Sequence, residues 1–146
     1  MSPLEIYMAK SKAKILVVDD NSGIRAALKV LLPLHFSQVE LIPSPKELVT
    51  KMADFRPDVV LLDMNFTLGV NSGQDGLLWL RSIHKRHPDV PVVLVTAYAD
   101  IKLAVRGLKD GAADFVTKPW DNAELVRTLV GPDAVVGLTA NTKEHL

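Results

Sequence analysis

Val59-Val60-Leu61-Leu62-Asp63 is the stretch from which the fold of this chain can be read. Four apolar residues in succession, two of them β-branched, with a carboxylate directly after them, are the pattern of a short strand buried on both faces. Such strands belong to parallel sheets sandwiched between helices. Asp63 then falls at a C-terminal strand end, the edge where open α/β sheets collect their ligands. A carboxylate in that place is suited to act as a nucleophile or a metal ligand.

The same pattern recurs on either side. Ile15-Leu16-Val17-Val18 runs into Asp19-Asp20, and Val39 to Ile42 is a shorter strand. Pro91-Val92-Val93-Leu94-Val95 runs into Thr96, and Ala113-Asp114-Phe115-Val116-Thr117 runs into Lys118-Pro119. Helical spacing fills the intervals. Asn21-Ser22 caps a helix carrying Ile24, Ala27, Leu28, Leu31 and Leu32, and Pro33 marks its frayed end. Ser44-Pro45-Lys46-Glu47 is a capping box with proline at the first helical position. Leu48, Met52 and Phe55 form that helix's inner stripe, and Pro57 stops it. Gly76-Leu77-Leu78-Trp79-Leu80 begins a third helix, with Ile83 one turn on and Pro88 beyond its end. Ile101, Ala104, Val105 and Leu108 mark a fourth, stopped by Gly111. Asp121 with Glu124 repeats the capping pattern ahead of Leu125, Val126 and Leu129, and Gly131-Pro132 ends the last helix. Strand and helix thus alternate five times. The expected fold is α/β, a parallel sheet covered on both faces by helices. Residues 1–12 read as an N-terminal arm, 13–130 as the domain and 131–146 as a tail or linker stump. Met64 to Asp75, rich in Asn, Gly and Ser, reads as a loop.

Composition narrows the function classes. A chain of 146 residues suits a single domain with a real core. Lysine and arginine balance aspartate and glutamate at 17 each, so no electrostatic footprint points to nucleic acid or an anionic membrane. There is no cysteine, which excludes disulfides and thiolate chemistry. No apolar run is long enough to span a bilayer or act as a secretory signal, so a cytoplasmic location is expected.

Chemistry is expected where the strands end. In a parallel sheet the ends at Asp19-Asp20, Asp63, Thr96 and Lys118 open on one side, so three carboxylates, a hydroxyl and an ammonium converge. Carboxylates gathered in this way repel one another unless a cation joins them, and Mg²⁺ is the natural candidate. A carboxylate beside Mg²⁺ and a lysine is also placed to attack phosphorus, giving an aspartyl phosphate. The metal and Lys118 would offset phosphoryl charge, and the Thr96 hydroxyl can donate to a phosphoryl oxygen.

These residues carry a resemblance. Val-Val-Asp19-Asp20, Leu-Leu-Asp63, Asp75-Gly76, Val-Thr96-Ala97 and Thr-Lys118-Pro119 resemble, in order and over about residues 13 to 130, the motifs of response-regulator receiver domains of bacterial two-component signalling. The resemblance implies a flavodoxin-like (βα)5 three-layer sandwich with a five-stranded parallel sheet in the order 2-1-3-4-5. It implies Asp63 as phosphoacceptor, with Asp19, Asp20, Asp63 and the main-chain carbonyl of Asn65 as ligands of Mg²⁺ (or Mn²⁺). It further implies Thr96 and Lys118 as phosphoryl contacts, Thr96 and Phe115 as a switch pair, and a cis Lys118-Pro119 bond. The implied partners are a sensor histidine kinase and an output domain or downstream regulator, with a homodimer on phosphorylation as a further possibility. The chain departs from the family in the loop after Asp63, where Leu68-Gly69-Val70-Asn71-Ser72-Gly73 is an insertion and Thr67 replaces a common proline. Similar long loops occur in receivers of nitrogen-regulation-type transcriptional activators.

Taken singly, each of these residues has an ordinary explanation. Asp19-Asp20 can be a turn, Thr96 a helix cap, Lys118 a solvated cation and Phe115 plain core. Their joint placement at one sheet edge is what argues for chemistry. Tyr98 either shields the phosphoryl group or packs on its loop, Trp79 reads as helix-face packing, and Trp120 is either exposed for a partner or partly buried. None of His35, His84, His87 and His145 falls at a strand end, so none is assigned to metal or acid–base chemistry. Two rivals remain. A Mg²⁺-dependent phosphohydrolase with an aspartate nucleophile generally carries a second aspartate two residues on, where this chain has Asn65. A receiver-like binding module that never accepts phosphate would not need the full acidic set with Thr96 and Lys118.

Overall fold

A strand apolar on both faces is satisfied only inside a sheet, and the Val59–Asp63 strand lies at the centre of one. The computed structural model describes residues 10–64 and 74–131, the side chains of residues 74 and 75 excepted. The strands are β1 (Ser11–Val18), β2 (Phe36–Ile42), β3 (Val59–Asp63), β4 (Val92–Ala97) and β5 (Asp114–Lys118). They form one sheet in the order β2-β1-β3-β4-β5, and every neighbouring pair is parallel. The helices are α1 (Ser22–Leu31), α2 (Leu48–Asp54), α3 (Gln74–Arg86), α4 (Ile101–Lys109) and α5 (122–131). This is the expected flavodoxin-like sandwich. The 68–73 insertion, Thr67, Asn65 and most of the expected arm and tail lie outside the described residues.

The period-2 alternation of the strands divides the core into two layers. Leu16, Val18, Val60, Leu62, Val92 and Leu94 pack with Leu48, Met52, Leu77, Leu80, Ile83 and Ala104, so α2, α3 and α4 cover that face. Ile15, Val17, Val59, Leu61, Val93 and Val95 pack with Leu28, Leu32, Leu125 and Leu129, so α1 and α5 cover the other. The same parity, carried to the strand ends, puts Asp19, Asp63 and Lys118 on the α1/α5 side. It puts Thr96 and Phe115 on the α2–α4 side.

Element ends differ from the sequence expectation where solvent breaks the pattern. β1 starts at Ser11, so two residues assigned to the arm, Ser11 and Lys12, belong to the sheet; the Ser11 amide donates to the His35 carbonyl at 2.9 Å. β2 starts at Phe36 rather than Val39, because this edge strand exposes Ser37 and Gln38 and shows no continuous apolar run. Ser44 does cap its helix, but by accepting from the Lys46 amide at 3.2 Å; Pro45–Glu47 is a 3₁₀ turn and α2 proper follows it. Pro33 likewise sits in a 3₁₀ turn, Leu32–Leu34, after α1 ends. Trp79 is half-buried against the α2–α4 layer, as expected. Leu62 is fully buried at the centre of that layer. Leu62→Ala is expected to destabilise the domain by about 2–5 kcal/mol, checked by urea unfolding with an unchanged slope.

Candidate functional site

The C-terminal edge of the sheet gathers the groups that the strand ends promised. The Asp19 amide donates to the Ile42 carbonyl at 3.1 Å, which prolongs the β1–β2 pairing by one residue and fixes the end of the strand. Asp63 pairs with Val95 in register, and the Met64 amide donates to the Val95 carbonyl at 2.9 Å. Both carboxylates are enclosed: Asp63 is 1% exposed and Asp19 3%.

Lys118 joins them. Its Nζ lies 3.2 Å from Asp63 Oδ1 and 3.3 Å from Asp19 Oδ2. The other oxygen of Asp19 accepts from the Asn21 amide at 2.9 Å. Asn21 in turn caps α1 by accepting from the Ile24 amide at 2.9 Å, so the turn after β1 and the start of α1 form one braced unit. One carboxylate oxygen from each of Asp19, Asp20 and Asp63 lies within 4.8 Å of the others. Three carboxylates thus meet at one point, two of them, Asp19 and Asp63, at ion-pair distance from the Lys118 ammonium, and every donor is a hard oxygen. That set fits a small divalent cation such as Mg²⁺. Asn65, the fourth expected ligand, lies outside the described residues.

Thr96 stands at the same edge on the other face, fully buried. Its hydroxyl is directed at the carbonyls of Ala97 (3.4 Å) and Asp100 (3.5 Å), long contacts within the turn that opens α4. That turn, Tyr98–Asp100, is 3₁₀, and α4 has no side-chain cap. Phe115 is half-buried against the α2–α4 layer, paired with Leu94 two register positions back from Thr96 and on the same face. Tyr98 is 76% exposed, which places it outside the core. Trp120 is half-buried against the α1/α5 layer, its indole N–H donating to Asn122 Oδ1 at 3.2 Å. The Lys118-Pro119 peptide is cis.

The structure therefore brings Asp19, Asp20, Asp63 and Lys118 together, with Thr96 and Phe115 behind them on the opposite face. Sequence reasoning missed Arg25. Its guanidinium Nη1 donates to the Asp19 main-chain carbonyl at 2.8 Å. The available signal was a cation in the first turn of a helix, where the macrodipole disfavours one.

Among the described residues, no helix is long and apolar enough to cross a membrane. The family model described as the response regulator receiver domain matches residues 15–130. The C4-dicarboxylate transport transcriptional regulatory protein DctD of Pseudomonas aeruginosa is 32% identical over 126 residues, 86% of this chain and 26% of that protein. The DNA-binding transcriptional regulator NtrC of Salmonella typhimurium is 36% identical over 110 residues, 75% of this chain and 22% of that protein. The chain thus spans about a quarter of the length of these regulators. Both agree with the nitrogen-regulation-type affinity inferred from the long loop. The crystal structure of the N-terminal signal receiver domain of a two-component response regulator from Bacteroides fragilis superposes with a TM-score of 0.76 at 52% identity, covering 84% of this chain and 97% of that one. By the family model that matches residues 15–130 and by the fold it shares with that structure, the chain belongs to the response regulator receiver domain family, whose members are signalling proteins.

Proposed function

We propose that this domain is a phosphorylation-controlled switch in which Asp63 accepts a phosphoryl group from a phosphohistidine of a sensor kinase. The observation that carries the reading is the Lys118 ammonium bridging Asp63 and Asp19 at 3.2 and 3.3 Å in an enclosed acidic edge. A carboxylate oxygen of Asp63 attacks phosphorus in line with the departing imidazole nitrogen. The P–O bond forms as the P–N bond breaks, and the ring, protonated at its other nitrogen, leaves as neutral imidazole. Asp19, Asp20 and Asp63, with the Asn65 carbonyl, would hold Mg²⁺ or Mn²⁺. When bound, the cation supplies neutralising charge for phosphoryl oxygens where carboxylates would otherwise repel them. Lys118 exchanges part of its contact with Asp63 for the new phosphoryl oxygens.

The conformational output follows from the two faces. The Thr96 hydroxyl, now on the weak Ala97 and Asp100 contacts, turns to the phosphoryl group. That movement loosens the start of α4 and opens room on the α2–α4 side, into which Phe115 can rotate. Phosphorylation biases two pre-existing arrangements of α4 and β5. The surface from Lys102 to Arg127 then engages an output domain, a downstream regulator or a second phosphorylated copy.

Acetyl phosphate with Mg²⁺ is expected to add one phosphoryl group to the chain, read by intact mass. Thr96→Ala is expected to accept the group but to lose most of the chemical-shift change at Phe115 that beryllofluoride induces in the parent domain. Full-sized shifts in Thr96→Ala would remove Thr96 from the coupling route.

A further inference from the structure

We propose that Arg25 is a positioning residue that aims the Asp20 carboxylate into the acidic cluster. The role presupposes that this cluster is the divalent-cation site described above. Arg25 is the fourth residue of α1, whose first turn holds no acidic side chain. The helix backbone is regular there, the Arg25 amide donating to the Asn21 carbonyl at 3.0 Å. The side chain nevertheless doubles back past the N-terminus and donates to the carbonyl of Asp19 at 2.8 Å.

That carbonyl belongs to the peptide joining Asp19 to Asp20. Because a peptide is planar, holding its oxygen fixes ψ of Asp19 and φ of Asp20 together. The side chain of Asp19 has its own fastenings: Oδ1 to the Asn21 amide at 2.9 Å and Oδ2 to Lys118 at 3.3 Å. Its amide is held by Ile42 at 3.1 Å. The guanidinium adds a brace on the far side of the residue, at the start of the backbone that leads to Asp20. A planar guanidinium gives a directional donor there, which a flexible ammonium does not reproduce.

Two effects of Arg25 on cation binding have opposite signs, which makes the role testable. As a positive charge near the cluster, Arg25 opposes a cation. As a brace, it favours one by preorganising the ligands. Mg²⁺ is titrated into the full chain, with amide shifts of Asp20 and Asp63 followed by NMR, for the wild type, Arg25→Met and Arg25→Lys. Arg25→Met keeps the apolar stem but removes donor and charge, and its Mg²⁺ dissociation constant is expected to rise about 10-fold, the scale on which groups that orient metal ligands act. Arg25→Lys is expected to fall between the two.

A dissociation constant for Arg25→Met equal to or below the wild-type value overturns the proposal. So does a lower thermal midpoint with unchanged affinity, which marks a purely structural residue. Should Arg25→Met lose its folded spectrum, Arg25→Lys decides: weaker binding supports the brace, and wild-type binding overturns it. A wild-type chain with no Mg²⁺ response overturns both the cluster reading and this role. A wild-type response without an Arg25 effect overturns only the latter.

Discussion

Asp63→Asn is expected to take up no phosphoryl group from acetyl phosphate and Mg²⁺, and to be at least as stable as the parent domain when no divalent cation is present. The first effect is chemical. An amide is nearly isosteric with a carboxylate but lacks the anionic oxygen that attacks phosphorus. The second effect is electrostatic. Asp63 faces two like charges with oxygens within 4.8 Å and one opposite charge at 3.2 Å. At an effective dielectric of about 20, each repulsion costs roughly 3 kcal/mol and the attraction returns roughly 5 kcal/mol. Losing the charge relieves both repulsions and the cost of enclosing a carboxylate that is 1% exposed, and Lys118 keeps Asp19 as a partner. Added Mg²⁺ should then raise the thermal midpoint of the parent far more than that of the variant. Intact mass and paired melting curves read both effects. Phosphoryl label persisting on the variant would move the acceptor away from Asp63.

Gly76→Ala is expected to destabilise the domain clearly although it adds only one methyl group. A Cβ at that position would stand 2.6 Å from Met64 Cα and 2.9 Å from Met64 O. These are backbone atoms of the residue directly after Asp63, and Met64 is fully buried with its amide bonded to Val95. No rotamer change relieves the overlap, so either the start of α3 or the end of β3 must shift. Alanine is the better helix former by about 1 kcal/mol, and the overlap has to exceed that gain. A net loss of about 1–3 kcal/mol is expected, together with a weaker response to Mg²⁺ because the end of β3 carries Asp63. Gly107→Ala makes the useful contrast. Its Cβ would run into Leu94 Cδ1, the end of a side chain that can rotate, so the loss should be smaller. Urea unfolding of the two variants side by side gives the ranking. A Gly76→Ala domain as stable as the parent would show that α3 can retreat from β3 without cost.

What could be read from the chain alone was whatever depends on near neighbours. Four apolar residues before Asp63, the capping residues Asn21 and Ser44 and the stop at Gly111 each act within a few positions, so strands, helices and their order were legible. Because parallel strands share one direction, those ends alone also placed Asp19, Asp20, Asp63, Thr96 and Lys118 on a common edge. The boundaries of β1 and β2 were not legible, since a half-solvated edge strand carries no continuous apolar run.

Distance and facing belonged to the tertiary structure. Lys118 is 55 residues from Asp63, and only the β3–β4–β5 register brings their charged atoms to 3.2 Å. Parity at the strand ends put Thr96 and Phe115 behind the acidic cluster rather than within it. The turn of Arg25 back onto Asp19 runs against the helix dipole that a sequence reading uses as its guide. Local propensities choose the elements, but the contact between two charged side chains depends on how whole layers pack. That packing is settled by the apolar faces of the sheet rather than by the charged residues at its edge.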